Sequence, residues 1–352
     1  MAISNDLLSS TLYSIRDGEV DELFQKVAFL DNAKRYNGIE YEDGGIKIQR
    51  PLSIAEHSQI TNLPTGYESV NLAVKDVLQP AIYEWADFTA PIVITKKEEL
   101  ENKGEKAIVK IVEARMRSVM GMLRRELNKQ LLRGNSTILT TVNTLNGSVT
   151  GGFLEAETKA TQNNTVGGVS KTTYPVNGWL NQVADIGADF GNNGILGMQQ
   201  MAIQANTVTH MGEIQCVLLS EAAMANYRRA LFQQERYINE KTLDGGRMQL
   251  AFGGAVVEQD LELGFDYASA SLNGGAGKTA PLSGYFLNFD GVKLCMHKDA
   301  DFAVSPFEHI SGTTARAAQL YVKMQLIADH LGSCGVLFPS HDHAGYALVS
   351  KY

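Results

Sequence analysis

The sequence predicts an α+β protein in which a long β-hairpin, a long helix and a mixed α/β unit follow one another. Three patterns indicate this fold class. Apolar and polar residues alternate on both sides of a polar tip between residues 46 and 74, as in a two-stranded arm. Apolar residues then recur every three or four positions from residue 108 to 131, as on one face of a helix. From about residue 191, helical and strand patterns take turns.

The composition is that of a globular protein. The chain has 352 residues, of which 44% are hydrophobic and 20% charged, close to the averages for folded domains. These values exclude a wholly disordered chain, and the length predicts about two compact units. No stretch approaches the roughly 18 apolar residues of a membrane span, and the N-terminus lacks a signal-peptide pattern. We therefore expect no membrane partner and no export.

The arm is expected to start after Asp43-Gly44, a turn signal, and to return through "VNLAVKDV" beyond a tip that contains Pro64 and Gly66. A lone hairpin is marginal in water, so the arm must lie on another surface. That surface is either the chain's own core or another copy of the chain, and the pattern alone does not decide. The residues expected to make this contact are Ile46, Ile48, Arg50, Leu52, Ile54, Val70, Leu72 and Val74.

The long helix is predicted over about residues 96–133. Thr95 and Glu98 form a capping-box pattern at its start, and Gly134 can adopt the left-handed conformation that ends it. The stretch would reach roughly 50 Å, and its narrow apolar stripe predicts a spine. The stripe consists of Ile108, Val112, Met116, Val119, Leu123, Leu127 and Leu131.

Basic charge is concentrated in this predicted spine helix. Eleven Lys and Arg against six Asp and Glu give residues 96–133 a charge of +5, so the rest of the −8 chain carries −13. The charged face is expected to contact solvent, a neighbouring subunit or a polyanion. Its candidate residues are Arg115, Arg124, Arg125 and Lys129.

Beyond the helix, the Thr-, Gly- and Asn-rich stretch up to Trp179 is expected to be extended connecting chain over a surface. The α/β unit then includes a buried strand in "IQCVLLS", a helix capped by Ser220, and a strand pair around the Gly-Gly of "RMQLAFGGAVVEQDLEL". A hairpin is predicted around Asp290-Gly291. A last strand in "YVKMQLIADHLGSCGVLF" is expected to return to the spine helix.

Enzymatic motifs are weak. Gly277-Lys278-Thr279 ends a phosphate-loop pattern, but the first glycine of that pattern is replaced by Leu272, and a flexible loop is expected instead. No serine lies in a G-x-S-x-G elbow. His341 and His343 are expected to be solvated, and the cysteines to be buried free thiols. The three cysteines are Cys216, Cys295 and Cys334. We therefore predict no catalytic residues, no metal site and no cofactor.

The order of these segments resembles the major capsid proteins of tailed bacteriophages, which share the Hong-Kong-97-type fold. The matching residues are Asp43-Gly44-Gly45 before the arm, Asn102-Lys103-Gly104 at the start of the spine, Gly167-Gly168 after it, and Trp179. The resemblance runs from about Leu7 to Phe338. It implies that the hairpin is an E-loop that lies across a neighbouring subunit.

The resemblance also implies a division of the chain and a set of partners. The segments are an N-terminal arm at 1–37, an E-loop at 38–90, a P-domain at 91–190, an A-domain at 191–300, and a return to the P-domain at 301–352. The implied function is self-assembly through pentamers and hexamers into a virion shell around double-stranded DNA, which is contacted non-specifically. The implied partners are a scaffolding protein, a portal and a decoration protein, with assembly in the cytoplasm of a bacterial host.

The sequence differs from the family in two ways, and these change what we expect of scaffolding and crosslinking. About forty residues precede the arm, so a separate scaffolding protein is expected rather than a cleaved internal one. Some members crosslink an E-loop lysine to a neighbour's asparagine, but the tip at residues 55–69 contains no lysine, so no such crosslink is expected. An encapsulin, a cellular shell with the same fold, remains the alternative, and a nucleotide hydrolase is the more distant one.

Overall fold

The computed structural model describes a large part of the chain. The described residues are 27–53, 60–62, 64, 66–69, 77–101, 105–147, 149, 151–156, 159, 161–173, 179–186, 190–208, 213–233, 241–242, 248–260, 262–263 and 284–338. Several predicted features lie outside them: the N-terminal arm up to residue 26, the spine start at Asn102-Lys103-Gly104, the Gly277-Lys278-Thr279 stretch, and His341 with His343.

The first half of the chain builds the hairpin, the spine and a set of short strands. Its elements are α1 Ala28–Arg35, β1 Ile39–Glu42, β2 Lys47–Ser53, β3 Leu78–Glu84, β4 Ala86–Thr95, α2 Lys96–Glu101, α3 Glu105–Arg133, β5 Thr144–Asn146, β6 Gly152–Leu154, β7 Thr165–Val166, β8 Val169–Ser170 and β9 Gln182–Asp185.

The second half alternates helices with strands and ends in strands. Its elements are α4 Phe190–Val208, β10 Cys216–Leu219, α5 Glu221–Gln233, β11 Lys241–Thr242, β12 Met248–Phe252, β13 Ala255–Gln259, β14 Gly284–Leu287, β15 Val292–His297, β16 Ala303–Val304, β17 Glu308–His309, β18 Ala315–Ala328 and β19 Gly335–Phe338, with single 3₁₀ turns at Lys298–Ala300 and Leu331–Ser333. Among the described helices, none is long and apolar enough to cross a membrane.

The long strand β18 organises a six-stranded sheet. β4 pairs antiparallel with β18 over ten residue pairs, from Ala315 opposite Thr95 to Met324 opposite Ala86. β15, β16 and β17 pair with its other edge, and β1 adds parallel to β15. The predicted return of the last strand towards the spine is confirmed, because β4 leads directly into the spine helices.

A seven-stranded sheet forms the second body, in the order β11-β12-β13-β10-β14-β19-β9. Every residue of β10 is buried. Val217 and Leu219 pack into a core with helices α4 and α5, and Cys216 and Leu218 face the larger core that includes the spine. The sheet therefore has a covered face on both sides, and Tyr285 on β14 links it to the spine by donating from Oη to Leu132 O at 3.1 Å.

The spine helix follows its predicted pattern. Its end at Arg133 is confirmed, and Gly134 has φ +71°, the left-handed conformation that glycine adopts without strain. The predicted stripe faces the core: Val112, Met116, Leu127 and Leu131 are buried, and Val119 and Leu123 pack against them. The side chain of Ile108 lies outside the described residues.

The predicted hairpin around Asp290-Gly291 is wrong. β14 pairs with β10 and β19 in the seven-stranded sheet, whereas β15 pairs with β1 and β18 in the six-stranded sheet. The chain thus crosses between sheets at this turn, because β14 is wholly buried, β15 is largely buried, and both find partners far away in sequence. Gly291 leaves no room for a side chain, since an added Cβ would lie 2.2 Å from Ser333 Oγ and 2.5 Å from His330 O.

The Thr- and Gly-rich stretch is not simply a surface connection as predicted. It folds into the short strands β5 to β8 and buries Phe153, Leu154, Lys171 and Trp179. Its Gly167-Gly168 pair forms the turn between β7 and β8, with φ +59° and +79°. The stretch looks exposed in sequence because much of its buried surface is polar and paired by hydrogen bonds.

Sheet membership also crosses the predicted segment boundaries. β15 falls within the predicted A-domain at 191–300 but belongs to the six-stranded sheet. β9 and β19 fall within the predicted P-domain segments but belong to the seven-stranded sheet. The three cysteines are free and buried, as predicted, and burial raises the pKa of Cys295 to about 12 and of Cys334 to about 11.

Candidate functional site

The described base of the arm is a two-stranded ribbon with two different faces. β2 and β3 pair antiparallel from Lys47 opposite Glu84 to Ser53 opposite Leu78 and join no other sheet in the part of the chain described. Alternate residues therefore point to opposite sides. One side is buried on the chain's own core and the other faces outward.

The inward face attaches the ribbon to the six-stranded sheet. Ile48 and Leu52 are buried with Tyr83, whose Oη donates to Ala328 O at 2.9 Å, and burial raises the pKa of this phenol. Beside them Arg50 forms ion pairs with Glu40 at 2.7 Å, Glu42 at 3.3 Å and Asp329 at 3.7 Å. The base of the ribbon is thus fixed in position by apolar and charged contacts together.

The outward face of the ribbon carries apolar side chains among polar ones, and the described residues leave much of it exposed. Leu78 is 62% exposed and Ile82 is 43% exposed. Pro51 and Pro80 lie opposite each other between them. At the ribbon's base, Ile46 is 93% exposed. We call this surface, Pro51, Leu78, Pro80 and Ile82, the outer ribbon face.

These positions revise the residues predicted for contact with a neighbour. Ile46 is exposed as such a contact requires, but Ile48, Arg50 and Leu52 point into the chain's own core. The alternation predicts a strand, but it cannot tell which of the two faces is covered. Ile54, Val70, Leu72 and Val74 lie outside the described residues. Leu78 and Ile82 were missed, although the alternating "LQPAIYE" carries the signal for a strand.

The spine's candidate basic residues do not form one free surface. Arg115 donates to Val93 O and forms an ion pair with Glu98, so it joins the spine to β4 and α2. Thr95 and Glu98 form the predicted capping box: Thr95 N donates to Glu98 Oε2 at 3.0 Å, and Glu98 N to Thr95 Oγ1 at 3.4 Å. The backbone N–H of Thr95 and then Arg115 lower the pKa of Glu98 to about 2.

Arg124 and Arg125 line a groove of about 840 Å³ between the spine, the start of α1 and the end of β13. Glu258 and Asp260 are buried beside it and accept hydrogen bonds of 3.0 Å from Asn32 and Asn128. The groove therefore carries both signs of charge. Lys129 is half-buried on the same helix.

Comparison with known proteins rests on structure alone. No protein-family model matches the chain, and a search of curated proteins finds no match. A chain of the cyanophage A-1(L) capsid asymmetric unit matches with a TM-score of 0.56 and 15% sequence identity, covering 86% of this chain and 90% of that chain.

Chains from other solved shells also match this structure. The capsid of an empty GTA particle matches with a TM-score of 0.52 and 9% identity, covering 88% of this chain and 90% of that one. The bacteriophage PhiM1 mature capsid matches with a TM-score of 0.50 and 10% identity, covering 87% and 86%. The chain has the Hong-Kong-97-type capsid fold.

Proposed function

We propose that this chain is the major capsid protein of a tailed phage, a structural subunit that assembles through pentamers and hexamers into a shell around double-stranded DNA. The observation that carries the proposal is the match to capsid proteins over 86% of this chain and 90% of the cyanophage chain. A match of both chains nearly end to end supports a whole shell subunit rather than a shared module.

The outer ribbon face supports assembly by contact with a second copy. Solvent-exposed apolar residues on a ribbon without further strands favour burial against a partner. The arm tip and the E-loop residues Ile54, Val70, Leu72 and Val74 would extend this contact onto the neighbour. Closed symmetric shells give each copy the same contact and leave no unpaired arm.

The charge distribution suits a container for DNA. Residues of the spine carry the concentrated positive charge, and the negative remainder would keep packaged DNA from adhering tightly. Arg124, Arg125 and Lys129 are the candidates for salt bridges to neighbours or for non-specific phosphate contacts. A scaffolding protein, a portal and a decoration protein complete the proposed partners, in a virion assembled in the host cytoplasm.

Electron microscopy of the purified chain, expressed alone and with its scaffolding protein, tests the proposal. Closed icosahedral shells are expected, and double-stranded DNA protected from nuclease is expected in particles from infected cells. Small oligomers under all conditions would contradict the shell function. Shells that enclose an enzyme instead of DNA would point to an encapsulin, and magnesium-dependent ATP hydrolysis lost in Lys278→Ala would point to an enzyme.

A further inference from the structure

A lysine is fully buried in the segment after the spine helix, directly after β8. The side chain of Lys171 is 0% exposed, and its Nζ lies 2.7 Å from Phe153 O, 2.9 Å from Asn181 Oδ1 and 3.0 Å from Glu155 Oε1. Lysines are almost never fully buried, because the ammonium loses its hydration. The assembly function gives no reason for this one.

The side-chain amide of Asn181 forms hydrogen bonds with four groups. Its Oδ1 accepts from the backbone N–H of Glu155 at 3.0 Å as well as from Lys171. Its Nδ2 donates to Glu155 O at 2.8 Å and to Gln182 O at 3.2 Å. These partners fix the orientation of the amide, and the donors at Oδ1 would stabilise negative charge that develops there.

Glu155 supplies a base next to the amine. Its carboxylate also accepts from the backbone N–H groups of Asn163 at 2.9 Å and Asn164 at 3.0 Å, so it is fixed in place. Burial lowers the pKa of Lys171 to about 8, although Glu155 opposes this shift. A desolvated lysine amine beside a carboxylate is an activated nucleophile.

We propose that Lys171 and Asn181 of the same chain join in an isopeptide bond, with Glu155 as the proton-transfer group. Glu155 takes a proton from the ammonium, and the free amine attacks Asn181 Cγ to form the new C–N bond. The protonated Glu155 then delivers its proton to Nδ2, the bond from Cγ to Nδ2 breaks, and ammonia leaves. The amine proton that remains in excess passes to the carboxylate or to ammonia, so no oxidant or cofactor is needed.

The competing explanation is a purely structural ammonium. Its three N–H groups match the three oxygens around Nζ, which is a complete set of hydrogen bonds. The two explanations differ in covalent structure, so a mass measurement separates them. Neither depends on whether the chain forms a shell.

The test is mass spectrometry of the purified, denatured wild-type chain. The bond lowers the mass by about 17 Da, the mass of ammonia. Because an asparagine that cyclises to a succinimide loses the same mass, the digest decides. Chymotrypsin cuts after Trp179, between the two residues, so the bond would leave the peptides that carry Lys171 and Asn181 joined.

Variants locate the chemistry. Lys171→Arg and Asn181→Ala should each abolish the joined peptides, and Glu155→Gln should slow their formation by about 100-fold or more. Lys159→Arg, which changes an exposed lysine nearby, should leave them unchanged. Because Lys171→Arg could fail to fold, the wild-type digest alone is sufficient: separate peptides from soluble, folded wild-type protein would overturn the proposal.

Discussion

Gln49 and Ile82 face each other on the outward side of the arm, whereas Ile48 and Tyr83, their neighbours in sequence, face each other inside the core. One step along a strand thus separates a residue that stabilises the subunit from one that is free to contact a partner. This separation allows assembly and folding to be changed independently by mutation.

Ile82→Asp is expected to abolish shells while the subunit stays folded. The new charge would lie in water on the free subunit but would have to be desolvated against a neighbour. Electron microscopy and thermal denaturation of the same sample check both parts. Ile48→Ala is the control, expected to destabilise the subunit by about 2–4 kcal/mol through a core cavity. Intact shells from Ile82→Asp, or from a deletion of residues 54–70, would contradict a role of the arm in assembly.

The capping box predicts a stability difference that depends on pH. The folded-state pKa of Glu98 is lowered from 4.5 to about 2, so its contribution is present above pH 4.5 and is lost as the pH falls towards 2. Glu98→Gln should therefore cost about 0.5–1 kcal/mol at pH 7, and the cost should shrink as the pH falls from 4.5 through 2. Urea denaturation of the non-assembling Ile82→Asp subunit measures this. Glu113→Gln, which removes an exposed pair with Arg117, should cost only a few tenths.

Gly291→Ala should strongly destabilise the subunit. A Cβ would lie 2.5 Å from His330 O, a backbone atom that cannot move aside easily, at the point where the chain crosses between sheets. We expect a loss of about 2–4 kcal/mol or insoluble protein. Gly121→Ala on the spine helix is the matched control, since its Cβ would meet nothing within 4 Å, and it should stabilise by about 0.5–1 kcal/mol. Equal stability of the two variants would show that the crossing tolerates expansion.

Reversing the charge of Arg124 and Arg125 to glutamate should reduce particle yield or the DNA content of particles. Both residues line the groove beside the buried carboxylates Glu258 and Asp260, which then repel the new charges. Lys96→Glu with Lys97→Glu makes the same change in net charge at the start of the spine and serves as the control. Unchanged yield and genome content in the arginine variant would remove this role.

Particles boiled in detergent and reductant should run as one band near 38.4 kDa, the mass of the chain. No lysine lies at the arm tip, and Lys47 is at the base of the ribbon, paired with Glu84 at 2.8 Å. An isopeptide bond within one chain leaves this result unchanged. A ladder of multimers would show that lysines do bond between subunits.

The sequence was sufficient for elements with strong local signals. The spine helix α3, its end at Gly134 and the capping box at Thr95 before α2 depend on residues three or four apart, so their pattern predicts them directly. The fold followed from the order of such elements. What the pattern left open was which face of the arm is covered, because a period of two residues is the same for both faces.

Predictions failed where partners are distant in sequence. "NFDG" carries good turn residues, but β14 pairs with β10, about 70 residues earlier, and β15 pairs with β1, about 255 residues earlier, and their burial outweighs a local turn preference. The Thr- and Gly-rich stretch was placed on the surface because it is polar. Lys171, Glu155 and Asn181 are buried together only because each supplies hydrogen bonds that the others need.

The facing prolines on the outer ribbon face affect how a free, unassembled subunit could pair with another copy. Proline has no N–H to donate. Pro51 and Pro80 therefore face each other as a non-hydrogen-bonded pair, in which the backbone nitrogens point to the outer edges of the ribbon. Each edge is thereby interrupted midway. On β3 the outer edge is also in use at Ile82, whose N–H donates to Gly167 O at 2.8 Å, so strand-to-strand addition of another copy would be disfavoured at this point. Under the proposed function, the ribbon would bind a partner through its side chains and not by adding a strand, which would favour shell assembly over aggregation.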